Sequence, residues 1–102
     1  MARQAYAAFD AVDDDWGRGL ALVVRGLVAR GLGRPVPARD LLDQACRYAE
    51  RTGHPLLLGI AHTVRGFAAL DAGDLAGAEA DACRVLDVAD PYGVAAGQRR
   101  RG

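Results

Sequence analysis

Gly19-Leu20-Ala21-Leu22-Val23-Val24-Arg25-Gly26-Leu27-Val28-Ala29-Arg30-Gly31-Leu32-Gly33 decides the reading of this chain, because a second stretch forty residues on repeats its plan. That stretch is Gly59-Ile60-Ala61-His62-Thr63-Val64-Arg65-Gly66-Phe67-Ala68-Ala69-Leu70-Asp71-Ala72-Gly73. At this offset, with no gap, Gly19, Ala21, Val24, Arg25, Gly26, Ala29 and Gly33 meet identical residues, and so do Ala38, Ala49 and Gly53 further along. Leu20 with Ile60 and Leu27 with Phe67 are conservative pairs. Matches between alanines carry little weight in a chain with 21 of them. The matched glycines carry more, because they fall where a helical pattern needs punctuation.

Each unit, about 14–53 and 54–93, reads as two helices. Asp15 is expected to cap a helix that starts at Trp16, with the Asp13-Asp14-Asp15 run lying where the N-terminal dipole favours negative charge. Gly33 should stop that helix just after Gly31. Pro35 and Pro37 suit the first turn of a second helix, about Ala38 to Arg51, stopped by Gly53. In the second unit Pro55 opens a helix that runs to about Ala72. Gly73-Asp74 then supplies a stop and a fresh N-cap, and the partner helix runs to about Ala89 before Asp90-Pro91. Joints this short leave only antiparallel helix pairs. Met1 to Val12 reads as the second helix of a preceding unit and Tyr92 to Gln98 as the start of a following one. The expectation is one all-α domain over residues 1–98 with about five to six helices, and an Arg-rich tail over residues 99–102. Strands are hard to fit, since Val23-Val24 and Leu56-Leu57-Leu58 lack alternation and the Ala, Leu and Arg content favours helix.

Composition narrows the chemistry. The 102 residues carry thirteen basic and thirteen acidic side chains, for a formal net charge of zero, and 51% of them are hydrophobic. Every basic residue is Arg, and Lys, Ser and Asn are absent, a skew that reads as high-GC codon usage. Without Lys there is no P-loop lysine and no Schiff base, and without Ser no Ser-His-Asp nucleophile. A balanced charge speaks against a nucleic-acid or membrane surface. Residues Met1 to Asp10 show no signal-peptide pattern, and the longest apolar run, Leu20 to Val24, is far short of the roughly 18 residues a span needs. A cytoplasmic location follows as the expectation.

Helical glycines need a reason. Gly19, Gly26, Gly59 and Gly66 each cost about 1 kcal/mol relative to Ala in a helix interior, and close helix-helix approach is what offsets such a cost. Small Ala29, Ala38, Ala69 and Ala78 would serve the same contacts. Among candidate ligands, Cys46, His54, His62 and Cys83 contain no pair at the close spacings of structural zinc sites, so no metal or other cofactor is expected. The two cysteines read as packed thiols rather than a disulfide in a cytosolic chain, and His54, before Pro55, as a solvent-exposed turn residue. The acidic run at Asp13 to Asp15 lacks the alternating oxygens and Gly of a calcium loop. Arg18 and Arg25 lie on one face of the first helix, and the repeat makes Arg65 the counterpart of Arg25. On a concave face the three would form a ladder for carboxylates. The alternative is that they pair with Asp40, Asp43, Asp71 or Asp81 of neighbouring helices.

Gly66, Ala69, Gly73 and Ala78, followed by Ala82 and Val85, stand at the spacing of the small and apolar signature positions of a tetratricopeptide repeat (TPR). Gly26, Ala29, Gly33, Ala38, Leu42 and Ala45 repeat that spacing. The chain resembles the looser TPR-like kind, since the family's Trp position is Leu22 or His62, its Leu before the Gly is Arg25 or Arg65, and the period is 40 rather than 34. His62, at the position of the family's first aromatic, is then expected half-buried between helices. More specifically, Asp15-Trp16-Gly17-Arg18, Val24 to Ala29 and Ala72 to Ala78 resemble the helical-repeat region of actinobacterial transcriptional regulators of the LuxR/MalT-like and SARP/BTAD kinds. The resemblance implies a short α-solenoid that acts as a sensor or oligomerisation arm. In those regulators an ATPase module and a helix-turn-helix accompany the arm. This sequence shows neither a Gly-rich loop ending in Lys-Ser/Thr nor a basic recognition helix, so direct nucleic-acid binding is not expected of it.

The functional expectation is a non-catalytic protein-protein interaction or self-association module, with no nucleophile, base and orienting partner visible as a set. A rival reading is a small-molecule or peptide sensor. Its apolar inner face would combine Leu20, Val23 and Leu27 with Ile60, Phe67 and Leu70, flanked by Arg18, Arg25 and Arg65. Solenoids generally need about three or more repeats and polar end caps. Two repeats without a cap imply one exposed apolar end, covered by another copy, a partner or further chain.

Overall fold

The computed structural model describes residues 2–90, and side chains from residue 16 onward. The described residues are all-α, with four helices and no strand among them: α1 (Ala2–Gly31), α2 (Pro35–Thr52), α3 (Pro55–Asp71) and α4 (Leu75–Ala89). The count differs from the five to six expected for two reasons. Tyr92 to Gln98 and the Arg tail lie outside the described residues. The helix expected over Met1 to Val12 and the one expected from Trp16 are a single 30-residue helix, α1. Asp15 is therefore an interior residue and not an N-cap. No Gly or Pro stands between Ala2 and Trp16, and an interior Asp costs only about 0.7 kcal/mol relative to Ala, too little to end a helix that its alanines favour.

Backbone that cannot continue as helix is what ends these helices. Gly33 and Gly73 take left-handed φ values of 71° and 75°, which a residue with a Cβ adopts only at a cost. Each turn is closed by the same two bonds. Arg34 N–H donates to Ala29 C=O at 2.9 Å and Gly33 N–H to Arg30 C=O at 3.1 Å. Forty residues on, Asp74 donates to Ala69 at 2.8 Å and Gly73 to Leu70 at 3.0 Å. This paired pattern satisfies carbonyls that a helix end leaves open. At the starts, Pro35 and Pro55 occupy the first turn, where a missing N–H costs nothing. Helix α2 accordingly begins at Pro35, ahead of the expected Ala38. Asp74 caps α4, its Oδ1 accepting from Gly77 N–H at 2.9 Å.

Short links fold the chain into two hairpins, α1 on α2 and α3 on α4, and α3 also packs against α2 and α1. Ala38, Leu42, Ala45, Cys46 and Ala49 form the buried stripe of α2, at the spacing of one helix face. Helix α3 is the central element and buries Leu57, Leu58, Ala61, His62, Val64, Ala68 and Ala69. Two glycines of α1 explain how closely α3 and α2 approach it. A Cβ on Gly19 would lie 2.5 Å from Leu57 Cδ2, and one on Gly26 would lie 2.7 Å from Leu42 Cγ. Both leucines are fully buried. Gly66 is in ordinary contact range of Asp81 Cβ, at 3.5 Å. Gly59 corrects the expectation, because a Cβ there would meet nothing within 4 Å. Helix α4 differs from the others in that Asp81 is its only buried residue.

Candidate functional site

Among the described residues, Asp81 is the centre of a buried charged cluster. It faces α3 from α4, and the i, i+3 spacing of His62 and Arg65 brings both to the same carboxylate. His62 Nδ1 is 2.8 Å from Asp81 Oδ1. An ionised carboxylate only accepts, so Nδ1 carries the proton and donates. Arg65 donates from Nη2 to Oδ1 at 2.7 Å and from Nε to Oδ1 and Oδ2 at 3.1 Å each. Its Nη1 reaches Asp43 Oδ1 on α2 at 3.3 Å. Cys46, one turn beyond Asp43, completes the group. Donor atoms of Cys46, His62 and Asp81 all lie within 4.8 Å of one another. The three residues are 2%, 6% and 4% exposed respectively.

Electrostatics follow from that burial. Desolvation pushes the Asp81 carboxyl upward, but the hydrogen bonds and charges of Arg65 and His62 outweigh it and hold the group below the usual carboxylate range. The Asp81 hydrogen bonds raise Arg65 above its ordinary value. Desolvation pushes the Cys46 thiol up to about 12, with the Arg65 charge opposing it. A nucleophilic cysteine needs the reverse, an accessible and acidified thiol. One polar atom of the group is left over, since His62 Nε2 is buried with no hydrogen-bond partner among the described residues.

The residues singled out from the sequence do not come together as one face. Val23 belongs to the core and Leu20 is partly buried, while Leu27 is exposed on α1. Arg18 and Arg25 are exposed on α1. Arg65 is engaged by Asp81 and Asp43, two of the carboxylates named as alternatives to a ligand. Phe67 and Leu70 line one groove beside α3, and Ile60, partly buried against the core, lines another. Three further arginines bridge helices: Arg30 to Asp71, Arg39 to Asp74 at 3.2 Å, and Arg84 to Glu50 at 2.5 Å. These pairs are solvent-facing and contribute little each. His54 differs from its expected exposure. The α2–α3 link lays its ring on Trp16, with centroids 5.1 Å apart and planes 4° from parallel, so the imidazole is partly buried. Both cysteines are free, Cys46 buried and Cys83 exposed.

Two grooves run along the open side of α3 and α4. One, of about 380 Å³, is lined by His62, Thr63, Gly66, Phe67, Leu70, Ala78, Ala82, Val85 and Leu86. The other is lined by Pro55, Leu56, Gly59, Ile60, Thr63, Val64, Val85, Val88 and Ala89. Leu56 is 59% exposed and Phe67 49%, with Leu70 and Leu86 similarly open. The sequence pattern hinted at this strip through the apolar residues of α3, but the Asp81 group left no local signature, because its members come from three helices. No helix among the described residues is long and apolar enough to cross a membrane. No family model matches the chain, and no curated protein or solved structure matches it either.

Proposed function

We propose that the chain is a non-catalytic protein-protein interaction or oligomerisation module, a TPR-like short α-solenoid of the kind that forms an arm of bacterial transcriptional regulators. The observation that carries this reading is the contrast between Gly19 and Gly59. At Gly19 the notch on the first hairpin is filled by Leu57 of the second, whereas Gly59, forty residues on, opens onto solvent inside an apolar groove. Among the described residues, a contact of the kind that joins one hairpin to the next is thus left unmade at Gly59, beside exposed Leu56, Phe67, Leu70 and Leu86. Exposed apolar strips of this kind mark interaction surfaces. The α1 side has a similar contrast. Val24 is 49% exposed while its counterpart Val64 on α3 is 9% exposed.

Size-exclusion chromatography with light scattering tests the reading. Mass should rise with concentration, and Phe67→Asp with Leu70→Asp should return the chain to a monomer with its helical circular dichroism retained, since neither residue is in the core. A monomer at every concentration would remove self-association. A second reading, a sensor of a small molecule or peptide, is favoured by the nearly all-apolar lining of the groove beside His62. It is separated from the first by a ligand that raises the melting temperature without changing mass.

A further inference from the structure

The geometry points to a divalent transition-metal site at the junction of α2, α3 and α4, with Cys46, His62 and Asp81 as its protein ligands and Zn²⁺ as the ion whose chemistry fits best. Thiolate, imidazole and carboxylate together form the mixed sulfur, nitrogen and oxygen set that Zn²⁺ accepts in four-coordinate sites. Each side chain comes from a different helix, and all three are buried. Bonds of about 2.0–2.3 Å in a tetrahedron place ligand atoms about 3.3–3.8 Å apart. The His62 Nδ1 to Asp81 Oδ1 separation of 2.8 Å would open slightly, and the widest spacing in the cluster, up to 4.8 Å, would close.

Ligation through Nδ1 moves the imidazole proton to Nε2, a buried atom with no partner among the described residues, and this is a cost that binding must offset. One consideration beyond proximity supports the site, the charge balance. An ionised Asp81 and a Cys46 thiolate would together neutralise a divalent ion. Arg65, displaced from part of its hold on Asp81, keeps a second carboxylate in Asp43 at 3.3 Å. Binding converts one thiol to thiolate and releases one proton per ion. Coordination replaces that proton, so the high affinity of the buried thiol for its proton is the main opposing cost, and affinity should rise with pH.

Co²⁺ added to the full chain is the probe, with Zn²⁺ as competitor. The expected result is one Co²⁺ per chain, with thiolate-to-cobalt absorption in the near ultraviolet, visible bands of a four-coordinate ion, and displacement of both by Zn²⁺. Calorimetry in two buffers of different ionisation enthalpy should report about one proton released per Zn²⁺. Cys83→Ala should keep the spectrum, and Cys46→Ala should abolish it. His62→Gln, whose amide can still hydrogen-bond Asp81, should weaken binding at least about tenfold with the helical circular dichroism retained. It serves as the second variant if Cys46→Ala does not fold. Absence of the spectrum in the native chain overturns the site. So does a spectrum lost in Cys83→Ala, or binding unaffected by His62→Gln.

Discussion

A single missing methyl group has opposite consequences at two helical glycines of this chain. At Gly26 a Cβ would press on Leu42 Cγ at 2.7 Å, and that leucine is fully buried and cannot retreat. Overpacking of this sort costs about 1–3 kcal/mol against a helix-propensity gain of about 1 kcal/mol. Gly26→Ala should therefore lower stability by about 1 kcal/mol. Gly59→Ala meets open space and should raise it by about 0.5–1 kcal/mol. Urea denaturation of the two variants checks the pair, and equal signs would refute the packing account. Asp81→Asn is a second residue-scale case. It keeps the shape but leaves Arg65 and His62 facing a neutral amide, and breaking a partly buried pair in this way should cost about 2–4 kcal/mol. By contrast Asp71→Asn, at an exposed pair, should be close to neutral.

At the level of elements, α4 is held by few anchors, since Asp81 is its one buried side chain. Amides of α4 should exchange with solvent before those of α3, as measured by hydrogen exchange on the native chain. Acid should loosen the same helix. The Asp81 carboxyl is held below its unfolded value, so the unfolded chain binds more protons as pH falls. The stabilisation is full above the ordinary carboxylate range near about pH 4, and it is lost as pH drops through the lower folded value. A melting temperature independent of pH in that range would contradict this. Helix ends were the most legible part of the sequence, because Gly33, Gly53 and Gly73 stop helices by a backbone requirement local to each. The continuity of α1 was not legible. Asp13 to Asp15 suit a cap, but a residue that can cap does not oblige a helix to begin. His54 was misread for a related reason: its exposure depends on Trp16, 38 positions earlier in the chain, and not on the turn it occupies. The Asp81 group was legible only in part: Asp43 and Asp81 stand among the carboxylates named as partners for Arg65, but nothing local to His62 or Cys46 says that they join them once α2, α3 and α4 are packed.

In the whole molecule, the two hairpins are joined largely through α3, and Leu57 in the Gly19 notch is the buried link to α1. Leu57→Ala should cost about 3 kcal/mol. It should also weaken the coupling between hairpins, so that the calorimetric enthalpy of unfolding exceeds the van't Hoff value. A transition that stays two-state would show that the α2–α3 contacts couple the hairpins on their own.

The two free cysteines make the chain its own stopwatch. Cys83 lies on the surface of α4 and is open to a thiol reagent from the first moment. Cys46 sits in the core as a protonated thiol, hidden until its surroundings part. The delay between the two labelling events counts how often the molecule opens, with the exposed cysteine as an internal standard for the reagent. Any partner or ion that holds the helices together would lengthen that delay by a factor equal to its effect on the opening equilibrium.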